Sequence, residues 1–348
     1  AIVTSLLLLG CAEARVDFTF SKVLDEYDFW GESSVTVDGL CRDTCHLYAS
    51  ITEESRTVAA NILVQTPKGF MSIADIADRV YPSTGLKIDL QMSGMPTLTI
   101  INGNSGLKSG PLVLYIVNTQ APNFAGAEVY EAEGMLRSSA FALNTVTVMS
   151  ARPFTLKQAK LEGSDAWKPQ GVRARLTGFD ALSGGYDSCV DVYNLNAEPF
   201  PGFTMEVNGP IISLIYDYNQ YTGPAGELSA TVGITNALQM LRTGFFNSVG
   251  FHGCAAKQAY KSSLYNYNSP SRVDLMNETP QNVVVDVLTN TDEKHAVQIF
   301  GVPNGETNQV FNTNASALKY FAQDIIVTWQ QDGIVDYHYL VRYNSTIV

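Results

Sequence analysis

Asp324-Ile325-Ile326-Val327-Thr328-Trp329-Gln330, and after it Ile334-Val335-Asp336-Tyr337-His338-Tyr339-Leu340-Val341-Arg342-Tyr343, decide the fold class. β-Branched and aromatic residues dominate both runs, which suits a pleated, half-buried surface. Alternation puts Ile325, Val327 and Trp329 on one face of the first run. It puts Tyr337, Tyr339, Val341 and Tyr343 on one face of the second. Between them stands Gln331-Asp332-Gly333. Asp-Gly between two such runs predicts a hairpin, because both central positions tolerate φ > 0.

The same pattern continues upstream. Val283 to Leu288 and Val297 to Val302 read as strands, as do Val190 to Tyr193, Phe203 to Val207 and Ile211 to Tyr216. Asn208-Gly209-Pro210 punctuates the last two. Nearer the start, Thr97 to Ile101 and Pro111 to Val117 read as a strand pair joined by the turn-rich Asn102 to Gly110. Met71 to Val80 has helical spacing, with Ile73, Ile76, Ala77 and Val80 on one face, and Thr235 to Arg242 reads as a second short helix. Short strands with turn signals every eight to twelve residues or so predict an all-β chain with minor α, built as tandem β-sandwich modules. The expected division is 1–14 targeting segment, 15–153 N-terminal β domain, 171–253 middle β unit and 254–348 C-terminal sandwich.

The chain has 348 residues, 45% hydrophobic and 16% charged, with a net charge of −12. That length accommodates more than one domain. The acidic balance argues against a nucleic-acid partner, which needs Lys and Arg to displace counterions. No run reaches the eighteen or so apolar residues of a spanning helix, so no membrane span is expected.

Ile2 to Gly10 is a short apolar core followed by Ala12-Glu13-Ala14, an A-x-A cleavage pattern, so secretion is the expected destination. Leu9-Gly10-Cys11 also resembles the end of a lipobox, and a bacterial surface lipoprotein lipidated at Cys11 is an alternative. Without Cys11, the cysteines Cys41, Cys45, Cys189 and Cys254 remain. Even parity in an exported chain implies two disulfides, with Cys41–Cys45 and Cys189–Cys254 the expected pairing among three possible ones. Asn277-Glu278-Thr279, Asn314-Ala315-Ser316 and Asn344-Ser345-Thr346 are glycosylation motifs at Asn277, Asn314 and Asn344.

Catalytic patterns are scarce. Gly103 to Gly110 lacks the Gly before Lys108 that a phosphate-binding loop requires, and a strand follows it where a helix is needed. Cys254 beside His252 is better read as a disulfide half than as a thiolate nucleophile. The histidines His46, His252, His295 and His338 show no metal-ligand spacing, and the acidic clusters at Asp25 to Asp28 and Glu128 to Glu133 lack a calcium-loop pattern. No cofactor, metal or catalytic residue is expected.

The C-terminal module resembles the CUB-like domains of secreted nematode proteins. The likeness is carried by Val283 to Val287, the turn-rich Gly301 to Thr313, and the closing runs Ile325 to Gln330 and Tyr337 to Tyr343. Tyr337-His338 stands where that family has Gly-Phe, and the acidic ligands of calcium-binding CUB domains have no counterpart here. The resemblance implies a jelly-roll sandwich in an extracellular, non-catalytic protein, of a kind associated in nematodes with innate defence against pathogens. The expected partner is an extracellular protein or glycan. An extracellular glycan hydrolase with paired carboxylates on a sheet face is the other alternative.

Overall fold

The computed structural model describes residues 21–104, 110–120, 128–133, 136–138, 145–158, 171–175, 193–195, 203–207, 210–217, 227–232, 243–247, 267–274, 281–290, 293, 296–302, 309–331 and 338–346. Its N-terminal part is a sandwich of two antiparallel four-stranded sheets. The front sheet runs β1 (Ser21–Asp25), β10 (Leu112–Asn118), β3 (Thr44–Ile51), β8 (Leu90–Ser93). The back sheet runs β2 (Ser34–Asp38), β9 (Thr97–Asn102), β4 (Ile62–Thr66), β5 (Gly69–Ser72). Strand alternation sends Leu47, Ala49, Leu112, Leu114 and Ile116 inward from the front. Val37, Ile62, Val64, Leu98 and Ile100 meet them from the back. Each of the Leu, Ile and Val side chains among these contributes about 1.5–3 kcal/mol on burial.

Among the described residues the helices are short: α1 (Glu26–Phe29), α2 (Arg56–Ala59) and α3 (Ile73–Ala77). The expected helix over 71–80 is thus confined to α3. Ser72 starts it with a capping box, its Oγ accepting from the Asp75 backbone N at 3.0 Å. Ile73 and Ile76 are fully buried in the sandwich core.

β10 is buried at every position because it serves two cores. Its even-numbered apolar residues fill the sandwich. Val113, Tyr115 and Val117 face outward with Tyr48, and pack on Val129, Met149 and Ile211 of the next sheet. That sheet has seven strands: β16 (Tyr193–Leu195), β15 (Gly171–Arg175), β18 (Ile211–Asp217), β13 (Thr145–Met149), β11 (Glu128–Glu131), β7 (Leu86–Lys87), β6 (Val80–Tyr81). Its last two strands come from within the N-terminal sandwich segment, so the two parts share chain as well as apolar surface.

An eight-stranded sheet follows the order β12 (Leu136–Ser138), β19 (Glu227–Val232), β14 (Phe154–Gln158), β17 (Phe203–Val207), β20 (Thr243–Asn247), β27 (His338–Thr346), β22 (Gln281–Asn290), β25 (Ala315–Ala322). A final sheet runs β21 (Tyr267–Asp274), β26 (Asp324–Gln331), β23 (Val297–Val302), β24 (Gln309–Phe311). Pro270 lies in β21, an edge strand, where a missing N–H is tolerated. Val283, Val285, Val287, Tyr339, Val341 and Tyr343 from the larger sheet close on Ile299, Ile325 and Val327 from the smaller. The chain is therefore mostly β with minor α and is built from β-sandwiches.

The two runs expected to form a closing hairpin stand in different sheets. β26 pairs with β21 and β23, whereas β27 pairs with β20 and β22 in the other sheet. Ile325 and Val327 thus face Tyr339 and Val341 across the core instead of lying beside them. The same correction applies to β9 and β10, expected as a pair joined by 102–110 but placed in opposite sheets. Asp332, Gly333 and Tyr337 lie outside the described residues, as does the expected helix over 235–242.

Candidate functional site

The back sheet of the N-terminal sandwich turns its outer face away from the seven-stranded sheet, which covers the front. Ser34, Thr36 and Asp38 of β2 lie opposite Ile101, Thr99 and Thr97 of β9. Leu63 of β4 pairs with Ile101, and Gln65 pairs with Phe70 of β5. Phe70 is 58% exposed and Ile101 38% exposed, with Leu63 half-buried between their strands. Diagonal neighbours on one face are within reach of an aromatic side chain, so these three residues form one apolar strip. Hydroxyl, amide and carboxylate groups border it. Thr97 Oγ1 donates to Asp38 Oδ1 at 2.7 Å, which fixes one corner of this border. A sheet face with an exposed ring and flanking polar groups offers both stacking and hydrogen bonds to a polar ligand.

A second cluster sits where the sandwich meets the seven-stranded sheet. Lys87 Nζ donates to Glu131 Oε2 at 3.1 Å and to the Ala77 carbonyl at 2.9 Å. Ser50 Oγ donates to Glu131 Oε1 at 2.7 Å and accepts from the Ala151 backbone N at 2.9 Å. Burial pushes the Lys87 ammonium below its ordinary range and the Glu131 carboxyl above its own; their mutual attraction opposes both shifts. On the same outer face of β3, His46 Nδ1 lies 2.5 Å from Asp89 Oδ2, and Arg79 Nη2 donates to the Asp89 carbonyl at 2.8 Å. Burial, with the Asp89 charge adding, pushes the Tyr48 hydroxyl well above its usual range. Tyr48 stacks on Tyr115 at a centroid distance of 6.2 Å. Lys87 and Glu131 are enclosed and committed to each other and to Ala77 and Ser50, which is the arrangement of a structural clamp.

Cys41 and Cys45 form a disulfide, both fully buried in the sandwich core. Cys189, Cys254, His252, His295 and Asn277 lie outside the described residues. Asn314 is exposed, and its Oδ1 accepts from the Thr289 backbone N at 2.9 Å. Asn344 lies within β27, between Thr243 of β20 and Val284 of β22. In the first acidic cluster, Asp28 Oδ2 accepts from the Asp25 backbone N at 2.9 Å. In the second, Glu128 accepts from the Tyr130 hydroxyl at 2.7 Å and Glu131 belongs to the clamp. Among the described residues no group of three or more His, Cys, Asp or Glu side chains is placed to hold a metal ion. Nor is any described helix long and apolar enough to cross a membrane.

Sequence reasoning missed Phe70, Leu63 and Ile101 as a surface. Ile100-Ile101 carried the signal, since adjacent branched residues in a strand must point to opposite faces. Lys87 was also missed: flanked by Leu86 and Ile88, it reads as a solvent-facing position but is buried.

No protein-family model matches the chain, and no curated protein matches it. Among solved structures, it is similar to the CUB1-EGF-CUB2 domains of rat MASP-1 at 10% identity. That match covers 63% of this chain and 99% of the other, with a TM-score of 0.23. The CUB1-EGF-CUB2 domain of human MASP-1/3 matches at 10% identity, 61% and 98% coverage and a TM-score of 0.24. A structure of Sulfolobus turreted icosahedral virus matches at 6% identity, 90% and 82% coverage and 0.19. At such scores these likenesses carry no functional argument.

Proposed function

We propose that this chain is an extracellular, non-catalytic binding protein, and that the outer face of the β2-β9-β4-β5 sheet is its contact surface. The observation that carries the proposal is the strip of Phe70, Leu63 and Ile101 set among Ser, Thr, Gln and Asp side chains on a sheet face pointing away from the adjoining unit. Contiguous exposed apolar side chains rimmed by polar ones mark interaction sites. The Cys41–Cys45 disulfide fits an oxidising compartment. The ligand class is a glycan or glycoprotein, met by ring stacking and flanking hydrogen bonds. A role in defence against pathogens is consistent with such a surface.

Glycan-array binding tests this directly, followed by mass analysis of the bound oligosaccharides. Retention of glycans of unchanged length is expected. Shortened products would instead identify a hydrolase.

A further inference from the structure

We propose that Asn314 carries an N-linked glycan and that this glycan shields the open flank of the C-terminal sandwich. β24 ends the four-stranded sheet and β25 ends the eight-stranded one, so among the described residues neither has a strand beyond it. Residues 312–314 join the two edges directly. Both open edges and Asn314 therefore share one flank. An open edge presents backbone donors and acceptors that template pairing with other chains unless it is charged, distorted or covered. Val310 on β24 is 55% exposed, so this flank also offers apolar surface.

The local geometry suits the modification. Asn314 is exposed and lies in the irregular stretch before β25; Ser316, which completes the motif, is exposed as well. The Asn314 Oδ1 bond to the Thr289 backbone N uses the carbonyl side of the amide and persists when Nδ2 is substituted. Two residues past Ala315 the backbone turns to φ 55° at Ala317, whose N–H donates to Asp286 Oδ1 at 2.9 Å. Asn314 and Asp286 thereby hold β25 to β22 where the register shifts between Val285 and Val287. Such irregularity already blunts an edge, and a glycan at its start extends the protection. Asn344 has no such setting, since a glycan there must stand on a strand paired on both sides.

In the transfer step Asn314 Nδ2 bonds to the anomeric carbon of a lipid-diphosphate oligosaccharide. The bond from that carbon to the phosphate oxygen breaks, and the lipid diphosphate leaves while the amide loses one proton.

The proposal rests on the export reading, so the test imposes export: the full chain is secreted by a eukaryotic host behind a supplied leader. Enzymatic glycan release in heavy-oxygen water marks each occupied Asn as a labelled Asp. Asn314 should carry the label in most secreted molecules. Ser316→Ala should abolish it while keeping the Asn314 bond to Thr289, and Ser316→Thr should retain it. Light scattering should show larger species for S316A, and for wild type deglycosylated without denaturation, but not for S316T. Secreted, folded protein with Asn314 unlabelled overturns the proposal, as does a size distribution unchanged by deglycosylation. The proposed function is tested apart, on the glycan array; no glycan bound by the folded protein overturns that reading and leaves the Asn314 result standing.

Discussion

Lys87 and Glu131 meet at 3.1 Å with the lysine side chain 1% and the glutamate side chain 18% exposed, and Ser50 reaches the same carboxylate from the N-terminal sandwich. Two charges have been taken from water where β7 and β11 of the seven-stranded sheet meet the sandwich. Removing one partner leaves the other buried and uncompensated, at a cost of about 3–5 kcal/mol. Lys87→Met and Glu131→Gln should each destabilise the fold on that scale in denaturant titrations. The double variant Lys87→Met with Glu131→Leu should cost clearly less than the sum of the two.

The same pair predicts two limbs in the pH dependence of stability. The Glu131 pKa is raised above 4.5 by burial, so the folded state still holds a proton that the unfolded chain has released. Stability contributed by this group therefore falls as pH rises from 4.5 to its folded pKa. The Lys87 pKa is lowered below 10.5, so unfolding takes up a proton below that pH and stability rises with pH between its folded pKa and 10.5. Denaturation midpoints measured across pH should show both limbs in wild type and flatter ones in the double variant.

Gly110 stands two residues before β10 at φ +69°, and a Cβ there would stand 3.2 Å from the Ser55 Cβ. Ser55 cannot yield freely, because its Oγ donates to the Pro111 carbonyl at 2.7 Å. Gly110→Ala should cost about 1–3 kcal/mol from left-handed backbone strain, with the contact adding to it. Thermal unfolding checks the sign; an unchanged midpoint would contradict the geometry.

Adjacent residues of β10 serve different cores and should fail differently. Ile116→Ala opens the sandwich core and should cost about 2–5 kcal/mol. Tyr115→Ala empties the joint with the seven-stranded sheet and should cost about 3–5 kcal/mol. Limited proteolysis should then cut first within the N-terminal sandwich for the former, and between the two parts for the latter.

The strand content was legible because 97–101 alternates and 283–287 and 325–327 are rich in β-branched residues, which suit a half-buried strand. Their partners were not. Asp-Gly and Asn-Gly turns signal a reversal of direction, which serves strands of one sheet and of two sheets equally. A sandwich places successive apolar faces opposite each other, as with Val327 and Tyr339. The helix over 73–77 could be read from Ile73 and Ile76, but its end could not, since Val80 keeps the spacing while its backbone joins a strand. The clamp was hidden for another reason: Lys87 and Glu131 lie 44 positions apart in sequence and come together only through the pairing of β7 with β11. The candidate surface was legible at Ile100-Ile101 alone. Phe70 carries no signal until β5 is known to pair with β4.

The most direct measurement compares wild type with the Phe70→Ser, Ile101→Ser double variant on a glycan array, with circular dichroism and thermal midpoint as folding controls. Both side chains are exposed, so the fold should be kept. Binding by wild type and a loss of at least tenfold in the variant are predicted. Equal binding by the two proteins would contradict the assignment of this face, and no glycan bound by folded wild type would contradict the proposed ligand class.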